Sequence, residues 1–146
     1  MSDFEAQVQA LHPDLRARHG LDGLKRADRE RLSVTDPRQL RGSASLDDDL
    51  TGRYPSYARW DYLVAHGERV WFVEVHPASS DANLQEVKKK AAWLNTLLRG
   101  HPWRSRDNPR VWVSSGPISK APAFSRKKRS LAQAGVVGPT RRLAIP

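Results

Sequence analysis

The sequence predicts one mixed α/β domain, and three observations carry that prediction. The chain has 146 residues, the length of one ordinary domain. Three β-rich runs stand out: RWDYLV (Arg59 to Val64), RVWFVEVH (Arg69 to His76) and RVWVSS (Arg110 to Ser115). Between the second and third lies ANLQEVKKKAAWLNTLLRG, whose Leu84, Val87, Ala91, Leu94 and Leu98 recur at spacings of three and four and so form one helical stripe. The domain divides into an N-terminal part of helices and loop over 1–57, a core over 58–115, and a basic C-terminal helix and terminal strand over 116–146.

The elements follow in order. Ser2 and Glu5 have capping-box spacing, and Phe4, Val8 and Leu11 recur helically, which predicts a helix from Asp3 to Leu11 that Pro13 prevents from continuing. Leu21 to Leu32 reads as a charged surface helix. Thr35 to Tyr57, rich in Pro, Gly, Ser and Asp, reads as loop; its LDDDL holds three adjacent carboxylates, Asp47 to Asp49, which form a solvated turn or helix start, or send one member to a metal. The first two β-rich runs pair as a hairpin across AHGE, and Pro77 with the serines after Ala78 ends the second strand. Asp81 caps the stripe-bearing helix and Gly100 closes it. A helix over Pro122 to Ala134 and a short strand from VVGPTRRLAI complete the chain. Trp60, Trp71 and Trp112 are strand residues of the core; Trp93 points away from its helix's stripe and Trp103 lies in a loop, so each either packs under a loop or stacks on a partner.

Lys and Arg number 25 against 16 Asp and Glu, a net charge of +9. Such a balance suits a polyanionic partner, and its clustering at Arg16 and Arg18, in KRADRERL from Lys25 to Leu32, at Arg126, Lys127, Lys128 and Arg129 in SRKKR, and at Arg141–Arg142 points to nucleic acid. Between the two kinds DNA is the expected partner ahead of RNA, a choice the charge itself does not make. No apolar run approaches membrane-spanning length, which argues against a membrane partner. The absence of cysteine excludes disulfides and thiolate metal sites, and MSDFEAQVQALHPDLR carries no leader pattern; both fit a cytoplasmic protein.

Glu74 and His76 raise the chemical question, because they sit two apart in an otherwise apolar strand and therefore share a face. A loop of two residues at Gly67-Glu68, or of four from His66 to Arg69, places Asp61 directly opposite Glu74. A His66-Gly67 loop places it diagonally, and an odd loop places it on the other face. The even case gathers Trp60, Tyr62, Val64, Trp71, Val73 and Val75 on one apolar face, leaving Asp61, Glu74 and His76 on the other. Two carboxylates and an imidazole make a ligand set for Mg²⁺ or Mn²⁺. The competing reading is an ion-pair network in which Arg59, Arg69 or Arg110 neutralises the carboxylates. His76, preceding a proline at a strand end, is either a ligand or base, or a hydrogen-bonded boundary residue.

Asp61, twelve residues, then Glu74-Val75-His76 on adjacent strands followed by an amphipathic helix resembles the PD-(D/E)xK nuclease superfamily over Arg59 to Ser115. The resemblance implies a restriction-endonuclease-like core with flanking helices, and metal-dependent phosphodiester cleavage with Asp61 and Glu74 as metal ligands. Trp60 stands where the family has proline, and His76 where it has lysine. In some members the lysine comes from the following helix, a role for Lys88 or Lys90 here, with Lys88 closer to the helix start; otherwise the lysines form a solvated face. Lys88, Lys90 and the 126–129 cluster are then the expected backbone contacts. The family's three-stranded antiparallel unit requires a further strand from Ser43 to Tyr57. Without a separate recognition domain, such an enzyme cuts non-specifically or relies on a protein partner or homodimer. The alternative is a non-catalytic nucleic-acid-binding or protein-interaction module on the same fold.

Overall fold

A computed structural model describes residues 2–146. Seven strands and six short or long α-helices follow one another as α1 (Asp3–Leu11), α2 (Arg26–Arg29), β1 (Leu32–Val34), β2 (Leu40–Ser45), α3 (Leu46–Asp49), β3 (Tyr62–His66), β4 (Arg69–Ala78), α4 (Asp81–Leu97), β5 (Arg110–Ile118), α5 (Pro122–Lys127), α6 (Arg129–Gln133), β6 (Val136–Thr140) and β7 (Leu143–Ile145). The main sheet has the order β2-β3-β4-β5-β6; β2 with β3 and β3 with β4 pair antiparallel, and β4 with β5 and β5 with β6 pair parallel. A separate small sheet pairs β1 with β7 in parallel. This is an α/β domain built on a mixed sheet. Among the described residues, no helix is long and apolar enough to cross a membrane.

Both faces of the sheet carry a core, including the one expected to hold Asp61, Glu74 and His76. Leu63, Ala65, Val70, Phe72 and Trp112 face a core closed by Phe4 and Val8 of α1, the apolar stripe of α4, and Phe124 and Leu131 of α5 and α6. On the other face Tyr62, Val64, Val73, Val111 and Val113 meet Leu24, Leu32, Leu143 and Ile145. Helices α1, α4, α5 and α6 thus share one side, and the small sheet with α2 seals the other. Trp60 precedes β3 and turns into the helix-side core rather than joining Tyr62.

Several expectations about elements change, among them the helix expected over Pro122 to Ala134, which breaks at Lys128 into α5 and α6, and the terminal strand, which divides into β6 of the main sheet and β7 of the small one. The helix expected over Leu21 to Leu32 contracts to α2, because Gly23 runs against β2: a Cβ there would lie 2.7 Å from the Ala44 amide nitrogen. Part of the expected loop is β2, which bulges at Gly42. Gly42 has φ +147, and a Cβ there would come within 2.6 Å of both the Arg18 carbonyl oxygen and the Phe4 ring, so only glycine lets α1 seat on the strand. Pro77 does not end β4. The strand runs to Ala78, and the parallel ladder with β5 shifts register there, as a residue without an N–H requires.

Candidate functional site

The hairpin turns on Gly67-Glu68, with Gly67 at φ +58 and His66 paired to Arg69. The same register carries Asp61 to the position opposite Glu74. Their carboxylates are laced through the backbone: the Asp61 amide donates to Glu74 Oε1 at 3.0 Å, and the Val75 amide donates to Asp61 Oδ2 at 3.0 Å. Each carboxylate therefore has one oxygen fixed by an N–H, which aims the other. Glu74 Oε2 and Asp61 Oδ1 both point at the ammonium of Lys90, at 2.6 and 3.7 Å. Glu74 is fully buried; the side chains of Asp61 and Lys90 keep 15% and 18% exposure, so solvent reaches the cluster from the Asp61 and Lys90 side.

Lys90, rather than Lys88, reaches the carboxylates. Lys88 is half-buried and makes no ion pair among the described residues. The arginines named as neutralisers are engaged elsewhere or exposed. Arg59 binds Asp47 through Nε at 3.0 Å and the Tyr54 carbonyl through Nη1, Arg110 donates to Asn95, and Arg69 is exposed. The acidic run starts α3: Ser45 caps it at the Asp48 amide, and Asp49 accepts from the Arg16 amide. The Asp47 amide lies over the Asp61 carbonyl, so Asp47 adds negative potential near the site without joining it.

His76 extends the cluster. Its Nδ1 lies 3.7 Å from Glu74 Oε2 and its Nε2 lies 2.7 Å from Glu86 Oε2, a residue one helical turn before Lys90. The Trp112 indole donates to the His76 carbonyl at 3.0 Å and fixes the strand there. Among the described residues, no group of three or more His, Cys, Asp or Glu is gathered as a metal cage. The two-carboxylate, one-imidazole ligand set is therefore replaced by two carboxylates and an ammonium, with the imidazole turned to Glu86. Glu86 was not singled out in the sequence; its i,i+4 relation to Lys90 on the flank of the stripe was the available signal.

Burial pushes the Glu74 carboxyl well above its ordinary value, and the Asp61 charge pushes it further against the opposing pull of Lys90. Burial likewise raises Asp61, with the nearby Lys90 opposing. Lys90 is raised overall because the attraction of Glu74 and Asp61 outweighs its own desolvation, so it is an ammonium at neutral pH. His76 is lowered by burial and by Lys90, so it is a neutral imidazole there. The sign of the linkage follows. A carboxyl whose folded-state pKa is raised binds its proton more tightly in the fold, so its contribution to stability falls as pH rises from about 4.5 through the higher folded value. Denaturation as pH rises from about 4.5 should show a downward slope in stability, at most about 1.4 kcal/mol per pH unit from this group, that levels off once Glu74 is ionised and paired with Lys90 and is absent in Glu74→Gln. Equal slopes in the two proteins would contradict this electrostatic description.

The expected backbone contacts Arg126, Lys127, Lys128 and Arg129 are exposed on α5 and α6. Lys127 pairs with Asp81 at the start of α4, which ties the basic segment to the site's helix. Trp93 and Trp103 are buried rather than offered to a partner; Trp93 lies edge-on to Tyr54, and Trp103 packs against Phe4. Comparison with known proteins returns no match: no family model fits the chain, and no curated protein and no solved structure is significantly similar to it.

Proposed function

We propose that the protein is a metal-dependent phosphodiester hydrolase of the PD-(D/E)xK type acting on nucleic acid, with Asp61, Glu74 and Lys90 at its centre. One observation carries the reading: Asp61 Oδ1 and Glu74 Oε2 converge on a single cationic position 3.7 and 2.6 Å away. Buried ion clusters add little net stability compared with an apolar core, so this one asks for another reason. The chain order supports the reading too. A leading helix, three antiparallel strands, a helix and a parallel strand resemble the restriction-endonuclease-like core, with β2 as the third antiparallel strand.

Asp61 Oδ1 and Glu74 Oε2 are the oxygens that would hold Mg²⁺ or Mn²⁺, and such an ion would displace the Lys90 ammonium from the point they share. Two hard carboxylate oxygens are aimed at one point, and such ions complete their shells with water and phosphate oxygens. A bound ion would supply positive charge to a phosphoryl oxygen and acidify water. The chain's own groups divide the remaining work. Lys90, always protonated near neutrality, donates to and stabilises developing negative charge but cannot accept a proton. His76, neutral at the same pH and beside Glu74, accepts the proton of the attacking water. The Val75 and Asp61 amides hold the carboxylates in place, so a shift of β3 against β4 would misalign both at once. The exposed cations of α5 and α6 hold the phosphate backbone without reading bases.

The self-contained neutralisation of Glu74 by Lys90 favours a second reading, a non-catalytic nucleic-acid-binding or protein-interaction module that kept the fold. Plasmid nicking with Mg²⁺ or Mn²⁺ separates the two. The proposal expects metal-dependent nicks by the wild type, lost in Asp61→Ala and Glu74→Ala. Salt-sensitive DNA binding that survives both substitutions, with no nicking by the wild type under either metal, supports the second reading.

A further inference from the structure

A cleft of about 480 Å³ lies away from the carboxylates, between the loop before β5 and the α6–β6 turn. Its lining includes Arg104, Arg106 and Arg110 together with the polar side chains of Asn95 and Gln133, and none of its lining residues is acidic. Arg110 is only 9% exposed. It is held there because β5 begins at Arg110, in register with Phe72 and Val136, so its side chain falls on the helix-side face with Trp112. Among the described residues its guanidinium finds only a neutral partner, the side-chain Oδ1 of Asn95 on α4. Among the described residues, none of the three arginines makes an ion pair within 4.0 Å. A mostly buried guanidinium with two like charges beside it is costly unless an anion joins it. Burial and the charges of Arg106 and Arg104 all press Arg110 towards deprotonation, the electrostatic mark of an incomplete site.

We infer that Arg104, Arg106 and Arg110 form a phosphate-binding pocket. Guanidinium forks match phosphate oxygens bidentately, and three of them around one cleft suit a group of more than one negative charge. No aromatic side chain lines the cleft to stack a base, so the phosphate itself is what it recognises. The phosphate comes either from a nucleic-acid backbone, which rests on the proposed function, or from a small phosphoanion, which does not.

Two titrations in EDTA test this on the intact protein: pyrophosphate by calorimetry, and a single-stranded oligonucleotide by fluorescence anisotropy over a range of salt. The variant is Arg104→Ala/Arg106→Ala, both exposed and away from the core; Lys120→Ala/Arg53→Ala removes the same charge elsewhere. If the backbone is the source, the arginine variant binds the oligonucleotide about tenfold more weakly, and its slope of log affinity against log salt becomes shallower by about 1.4, two contacts at about 0.7 each. If a small phosphoanion is the source, the loss of about tenfold appears with pyrophosphate alone. Either result supports the pocket, provided the control pair stays within about twofold of wild type. Unchanged affinity for both probes, or equal losses in the control pair, overturns it. Neither titration depends on cleavage, so an inactive enzyme leaves the outcome readable.

Discussion

Lys90→Met should lower the stability of the protein by about 3 to 5 kcal/mol at neutral pH, the cost of stranding a buried carboxylate without its counter-charge. Among the described residues, Glu74 has no other cationic group within ion-pairing reach except His76, which is neutral there and turned towards Glu86. Glu74 Oε1 keeps its Asp61 amide, but Oε2 loses its 2.6 Å partner inside the protein. The double variant Glu74→Gln/Lys90→Met removes both charges and should recover most of the loss, because a buried pair contributes little net stability against neutral groups of similar shape. Chemical denaturation of the three variants measures the coupling. A Lys90→Met protein within about 0.5 kcal/mol of wild type would mean that Glu74 is already neutral and the ion pair is not formed.

Cleavage should fall by about two to three orders of magnitude in Asp61→Asn and in Glu74→Gln, with both proteins still folded. The size follows from the several kcal/mol that Lewis-acid stabilisation of phosphoryl charge supplies, at 1.36 kcal/mol per tenfold in rate. The amides are the sharper substitutions. They keep the shape of the carboxylates and the oxygen that accepts from Val75 or from Asp61, and remove only the charge aimed at the common point. The paired loss should also be strongly non-additive, since either carboxylate alone leaves an incomplete ligand set. Single-turnover cleavage of a labelled duplex reads both effects. Losses below about threefold would assign the rate to other groups.

How much of this was legible in the sequence depended on which residues a local pattern could constrain. Period-two alternation in Arg59 to His76 put Asp61 opposite Glu74 for a turn at Gly67-Glu68, diagonal to it for one at His66-Gly67 and on the other face for an odd loop; the structure has the Gly67-Glu68 turn, and register follows from turn length. The α4 stripe was equally plain. It also showed that Lys88 and Lys90 lie on opposite flanks, but not which flank looks towards β3; the path of the β4–α4–β5 crossover decides that, and it favours Lys90. β2 was hidden for a different reason. Leu40 to Ser45 reads LRGSAS, with no β-branched or aromatic residue; Phe4 of α1 closes on Gly42 and the backbone at Gly23 on Ser43 and Ala44, where the side chains are small. Its strand character comes from pairing with β3, a tertiary constraint that no local propensity reports. Trp93 was read as facing away from the core on helical geometry alone, and it does leave the stripe. The segment around Tyr54 covers it, so distance from the stripe did not mean exposure.

The buried carboxylates join these threads, since neither packing nor net stability accounts for two acids and a lysine at the margin of a tryptophan- and leucine-rich core. The direct question is whether the position they surround accepts a divalent cation. Electron paramagnetic resonance of Mn²⁺ titrated into the protein with a non-cleavable oligonucleotide analogue answers it. Specific binding by the wild type, weakened at least about tenfold in Asp61→Asn and again in Glu74→Gln, is the predicted result. No specific Mn²⁺ binding by the wild type at millimolar metal, or binding that both variants retain unchanged, would contradict it and leave Asp61, Glu74 and Lys90 as a closed ion cluster.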